Sequence, residues 1–139
     1  MSHNRIVTVK MKDDYEYVAS NMQGNELAID MYDAPEKKAQ SPMDLLLSAL
    51  GSCASVDAVL MMKKKRKTIS EFYVEVEGDR NEGAPQFYTA IRMRFVIVSP
   101  DAKEEEFAKV VALSVDKYCS VASSIKAKIT YTSEVKRPV

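Results

Sequence analysis

The chain has 139 residues, 46% hydrophobic and 29% charged, with 20 basic against 20 acidic side chains. That composition fits one globular domain, residues 1–139, able to bury roughly two thirds of its unfolded surface without disulfide or metal support. The even charge balance leaves no electrostatic footprint for nucleic acid, and a lone histidine, His3, beside two cysteines argues against a His-dependent nucleophile or a zinc site.

The N-terminal "MSHNRIVTVK" lacks an apolar segment followed by a small-residue cleavage site, so no signal peptide is expected. No uninterrupted apolar run approaches about 18 residues, so no membrane span is expected and the cytoplasm is the predicted location. Two cysteines do not make a secreted disulfide scaffold. In a reducing compartment their pairing would be transient, serving catalysis or regulation.

The first forty residues read as short strands. "RIVTVKM" and "YEYVAS" are separated by the turn signal "KDD", and "NMQG" leads into "ELAIDMY", where Leu27, Ile29 and Met31 share one face at period two. "DAPEKKAQ" is a polar linker. A long helix follows, "SPMDLLLSALGSCASVDAVLMMKKKRK", from Ser41 to Lys67. Ser41 suits the N-cap, Pro42 the first helical position, and Asp44 the first turn, where the helix dipole favours a carboxylate. Apolar residues cover almost its whole circumference, which predicts burial on nearly all sides and therefore a partner chain. Lys63 to Lys67 place cations at its C-terminal end, where the dipole favours them.

"TISEFYVEVEGDR" and "QFYTAIRMRFVIVS" alternate around the turn "NEGAP" and predict a β-hairpin, with Ile91, Met93, Phe95 and Ile97 on one face. A second helix is expected in "SPDAKEEEFAKVVALSVDKYC", capped by Ser99 or Asp101, with Phe107, Val110, Val111 and Val115 as its buried stripe. Cys119 falls at or just after its end. "SVASSIK" reads as a turn or short helical piece, and "AKITYTSEVK" as a last strand. The order βββ-α-ββ-α-β segregates strands from helices and predicts an α+β fold with mostly antiparallel pairing.

Both cysteines sit among small residues, Cys53 in "LGSCAS" and Cys119 in "KYCSVASS". A buried cysteine is a small hydrophobe, and packing alone accounts for many. Gly51 weakens its helix by roughly 1 kcal/mol relative to alanine, a cost expected where another backbone or a substrate comes close. Two thiols in one such chain could instead form one reversible pair, one attacking an oxidant and the other resolving the sulfenic acid.

Here the residues carry a resemblance. "SPMDLLLSALGSCASVDAVLMMKKKR" resembles the central helix of the OsmC/Ohr family, the osmotically inducible protein C and organic hydroperoxide resistance proteins, and "KYCSVASSI" is similar to that family's second-cysteine segment. The 66-residue separation of the cysteines and the element order fit as well. The resemblance covers nearly the whole chain and points to the OsmC-like branch. It implies an intertwined homodimer around a long buried central helix, and thiol-dependent reduction of organic hydroperoxides. Cys53 would be the peroxidatic nucleophile, Cys119 the resolving thiol, and a dithiol, lipoylated proteins among them, the reductant. It implies no cofactor and no metal.

The chain departs from the family pattern at two points. The family's glutamate, ten residues before the first cysteine, is replaced by Met43, with Asp44 adjacent but rotated by about 100° around the helix. Only Arg5 precedes Cys53 to match an N-terminal arginine that holds the thiolate. Lys10 and Lys12 carry the charge without the bidentate fork, and Arg80, Arg92 and Arg94 of the hairpin are the other cations available. The alternative reading is therefore a redox sensor or small-ligand-binding dimer with the same thiols and no efficient turnover.

Overall fold

The computed structural model describes residues 4–139, and His3 lies outside the described residues. The elements are β1 (Thr8–Asp13), β2 (Glu16–Ser20), β3 (Glu26–Asp30), α1 (Pro42–Lys64), β4 (Glu71–Arg80), β5 (Tyr88–Val98), α2 (Glu104–Leu113), a π-helical turn (Ser114–Tyr118), α3 (Ser120–Ser124) and β6 (Lys128–Lys136). The chain divides into two compact units, residues 1–46 and 47–139.

In the N-terminal unit β1, β2 and β3 form an antiparallel sheet in that order. The apolar side chains of β1 stay open, Val9 57% and Met11 63% exposed, and those of β2 are half-buried. Among its described residues only Asp30 is buried, and it organises the linker that follows. The Asp30 carboxylate accepts from Lys37 Nζ at 2.9 Å and from the backbone N–H groups of Lys38 and Ala39 at 2.7 and 2.8 Å. Burial by itself would raise this carboxyl, but those hydrogen bonds and the Lys37 charge outweigh it and hold it below its ordinary value.

A depressed carboxylate contributes stability that is complete above the ordinary carboxylate range and is lost as pH falls through the lowered value. Asp30→Asn should therefore lower the melting temperature by several degrees at neutral pH, and the gap should narrow as melts are taken down through pH 4 and below. A gap that does not change with pH would refute the assignment.

The C-terminal unit is built on the sheet β4-β5-β6. The β4–β5 hairpin is antiparallel, whereas β6 runs parallel to β5. A parallel neighbour requires a crossover, which α2, the π-helical turn and α3 supply. The registers put Phe72, Ile97 and Val135 on one face, together with Val76, Met93 and Tyr131. This face meets the stripe Leu50, Ala54, Ala58 and Met62 of α1 and the stripe Phe107, Val110, Val111 and Val115 of α2. Phe72 stands edge-on to both Phe95 and Phe107, with centroids 6.4 and 6.1 Å away.

Several local expectations change. The α2 cap is Lys103, whose N–H is accepted by the Glu106 carboxylate at 2.9 Å. Ser99 and Asp101 belong to the turn before it, where Ser99 Oγ accepts from the Ala102 N–H. "SVASSIK" contributes a true short helix, α3. The helix α1 is buried along one stripe rather than all round: Val56 and Leu60 are 57% and 55% exposed in the single chain.

By length and composition α1 is also long and apolar enough to cross a membrane. Its buried stripe packs on the sheet, which gives the same apolar length a role as a core helix. The helix stops in a Schellman arrangement, with the Lys67 N–H bonded to Met62 O and the Arg66 N–H to Lys63 O. Arg66 occupies the left-handed position at φ 61°. The basic run thus has a structural role in ending the helix, and Lys67 pairs with Glu106 at 3.2 Å.

Candidate functional site: a thiol pair

Both cysteines lie in the C-terminal unit. Cys53 is half-buried on α1, and Cys119 is buried between the π-helical turn and α3. The two thiols are neighbours in the same core, although 66 residues separate them along the chain. Cys119 is also the N-cap of α3, its sulfur accepting from the Ala122 N–H at 3.3 Å. Burial pushes the Cys119 thiol up. The Ala122 N–H works against that rise, and the neighbouring Cys53 sulfur adds to it. The net effect holds the Cys119 pKa above the ordinary thiol range.

The route to Cys119 explains its placement. The helix α2 widens over Ser114–Tyr118, and Ser114 Oγ donates back to Val110 O at 2.8 Å. A π-helical turn delays the winding of the chain, so Cys119 leaves the helix on a different bearing from an α-helical continuation. Tyr131 on β6 donates its hydroxyl to Asp116 inside that turn. This bond, with burial adding to it, holds the Tyr131 phenol above its usual range.

The residues around Cys53 divide by face. A Cβ at Gly51 would come within 3.1 and 3.3 Å of Val76 and Val74. Glycine there lets α1 approach β4, and at 100° per residue it lies about 160° around the helix from Cys53. The close approach expected at Gly51 is therefore that of strand β4. Beside the thiol, one turn further along α1, stands the exposed Val56.

Asp44 and the hairpin arginines, weighed as substitutes for the family machinery, have other partners. Asp44 belongs to the helix cap: its carboxylate accepts from the Ser41 N–H, and Ser41 Oγ accepts from the Asp44 N–H, both at 3.3 Å. Arg92 and Arg94 project from the sheet face opposite α1. Arg92 pairs with Glu77 and Asp79 at 2.9 and 2.8 Å, and Arg94 with Glu75 and Glu134. Arg80 Nε donates to Gln86 O in the hairpin turn. Arg5, Lys10 and Lys12 lie in the N-terminal unit. Among the described residues no cluster of three or more His, Cys, Asp or Glu side chains could hold a metal ion.

The chain is thus an α+β protein whose long core helix carries one thiol, with a second thiol beside it in the same core after the second helix. The chain belongs to the OsmC-like protein family, whose family model matches residues 35–134. It is 32% identical to protein YhfA of Escherichia coli K12 over 129 residues, 91% of this chain and 95% of the relative. A solved structure from Aquifex aeolicus superposes with a TM-score of 0.86 at 27% identity, covering 99% of this chain and all of that one. An OsmC-like protein from Mycoplasma pneumoniae gives 0.83 at 22% identity, covering 98% and 99%. The organic hydroperoxide resistance protein OhrB of Bacillus subtilis gives 0.64 at 16% identity, covering 96% and 98%, and shares the fold.

Proposed function

We propose that this protein is a thiol-dependent reductase of organic hydroperoxides, and the observation that carries the reading is the placement of Cys53 and Cys119 as neighbours in one core. The Cys53 thiolate attacks a peroxide oxygen, the O–O bond breaks, and the leaving alkoxide takes a proton to become the alcohol. Cys53 is then a sulfenic acid. The Cys119 thiol condenses with it, forming a disulfide and water, and a dithiol reductant returns both sulfurs to thiols by exchange. Because Cys119 holds its proton firmly, Cys53 is the thiol assigned to attack. The exposed apolar side chain of Val56, one turn along α1, favours an alkyl or aryl peroxide over hydrogen peroxide.

The working unit is a homodimer in this reading, in the cytoplasm, where thiols are kept reduced. Two observations support a second chain: the uncovered apolar side of α1 and the lack of an apolar core in the N-terminal sheet. Three strands need such a core, or a packing partner, to be stable. Sedimentation should give twice the 15.6 kDa chain mass. A stable monomer at micromolar concentration would exclude the dimer.

Stopped-flow oxidation of reduced protein by cumene hydroperoxide and by hydrogen peroxide, with mass spectrometry of the product, tests the chemistry. Rapid reaction with the organic peroxide, ending in a Cys53–Cys119 disulfide, is the expected result. Sluggish reaction with both oxidants would favour the second reading, a thiol sensor or ligand-binding dimer. That reading draws support from the commitment of Arg80, Arg92 and Arg94 to other partners.

A further inference from the structure

We propose that Tyr131 and Asp116 are positioning residues for the resolving thiol: their hydrogen bond fastens the π-helical turn to β6 and so holds Cys119 against Cys53. The inference rests on reading the two cysteines as a redox pair. It goes beyond that reading by assigning the device that makes the second thiol available.

The geometry is specific. Asp116 is exposed and lies in the middle of the only π-helical turn among the described residues, three positions before Cys119. Helix α2 is anchored up to the start of that turn by Phe107, Val110, Val111, Ser114 and Val115, all buried. After Val115 the next buried residue is Cys119 itself, because Asp116, Lys117 and Tyr118 are exposed. Over those three residues the Tyr131 hydroxyl is the tie from the sheet to the turn. On the far side, α3 is one turn long and is capped by the Cys119 sulfur.

Condensation draws the Cys119 sulfur to about 2.05 Å from Cys53 and out of its cap bond with Ala122. In that step the Cys53–Sγ–OH bond breaks as the S–S bond forms, and the Cys119 proton leaves with the hydroxyl as water. The rate depends on how often the Cys119 sulfur meets Cys53, which is an effective concentration set by the rigidity of the intervening turn. A tie from a β-strand to the middle of the turn keeps that concentration high. Without it the turn can relax toward α-helical winding and carry Cys119 away from Cys53.

The test compares the reduction potential of the Cys53–Cys119 couple, equilibrated in dithiothreitol buffers, in the parent and in Tyr131→Phe, Asp116→Ala and Asp116→Asn. No peroxide is needed, so the outcome is independent of whether the protein is a peroxidase. Tyr131→Phe and Asp116→Ala should each weaken the disulfide about tenfold, moving the potential by about 30 mV toward more oxidising values. Asp116→Asn keeps an acceptor for the hydroxyl and should stay close to the parent.

The double variant should be no worse than either single one, because both remove the same bond. Loss of stability alone would not produce rescue by asparagine. Should Tyr131→Phe fail to fold, the exposed Asp116 pair carries the comparison. Parental potentials in Tyr131→Phe or in Asp116→Ala, equal losses in Asp116→Ala and Asp116→Asn, or a parent that forms no Cys53–Cys119 disulfide would each overturn the proposal.

Discussion

Replacing Cys53 by serine should cut the consumption of cumene hydroperoxide by about a thousandfold or more, a loss of about 4 kcal/mol of transition-state stabilisation. Cys119→Ser should behave differently. The first oxidation by peroxide should proceed at nearly the parental rate, because the attacking sulfur is intact. The product should then stop at a sulfenic acid on Cys53, which a dimedone probe would trap, and turnover with a dithiol should fall sharply. The asymmetry follows from the placement of the two sulfurs. Cys53 is half-buried on α1 beside an exposed apolar side chain, whereas Cys119 is buried, caps α3 and holds its proton. Equal losses in the two variants would assign them equivalent roles, and undiminished consumption by Cys53→Ser would remove the thiol from the chemistry.

Phe107→Ala should destabilise the protein by about 3–5 kcal/mol. Phe107 is fully buried and stands edge-on to Phe72, which in turn stands edge-on to Phe95. It is the largest side chain that α2 inserts into the core, and truncation leaves a cavity between a helix and a twisted sheet that cannot close without moving one of them. Domains are stable by only about 5–15 kcal/mol, so such a loss consumes much of the total. Urea denaturation should show the midpoint falling with little change in slope. A loss below about 1 kcal/mol would mean that α2 settles inward on the sheet.

Much of this architecture is written in local patterns. The alternation through Ile91, Met93, Phe95 and Ile97 predicts a strand with one buried face, and all four side chains are buried. The stripe Phe107, Val110, Val111 and Val115 is likewise found in the core. Ser41 with Pro42 marks the start of α1 to the residue. The parallel direction of β6 has no local signature, because a strand of the same pattern can add to a sheet edge in either sense. The π-helical turn is equally hidden, since widening by one residue leaves the apolar spacing of α2 intact.

For the site, the two thiols are legible from their small-residue surroundings and the family resemblance. Their partners are not. Tyr131 reads as one more residue in an alternating strand, and Asp116 as an ordinary charge on a solvent-facing helix surface. Arg92 and Arg94 look available to the thiols in the sequence. Period two already sets both opposite the Ile91–Ile97 face, and the register adds Glu77 and Glu75 across from them on β4.

The coreless N-terminal sheet has a consequence for how the chain is made. Residues 1–46 leave the ribosome first, yet among their described members they bury one carboxylate and no apolar side chain. Nascent β1 to β3 must therefore wait in water with Val9 and Met11 uncovered, and they stay uncovered in the complete single chain. An uncovered edge strand of that kind is a template for aggregation, and lysines on it are the common safeguard. Lys10 and Lys12 alternate with Val9 and Met11 along β1, which lies at the edge of its sheet. Two lysines on an uncovered edge oppose the stacking of one such sheet on another.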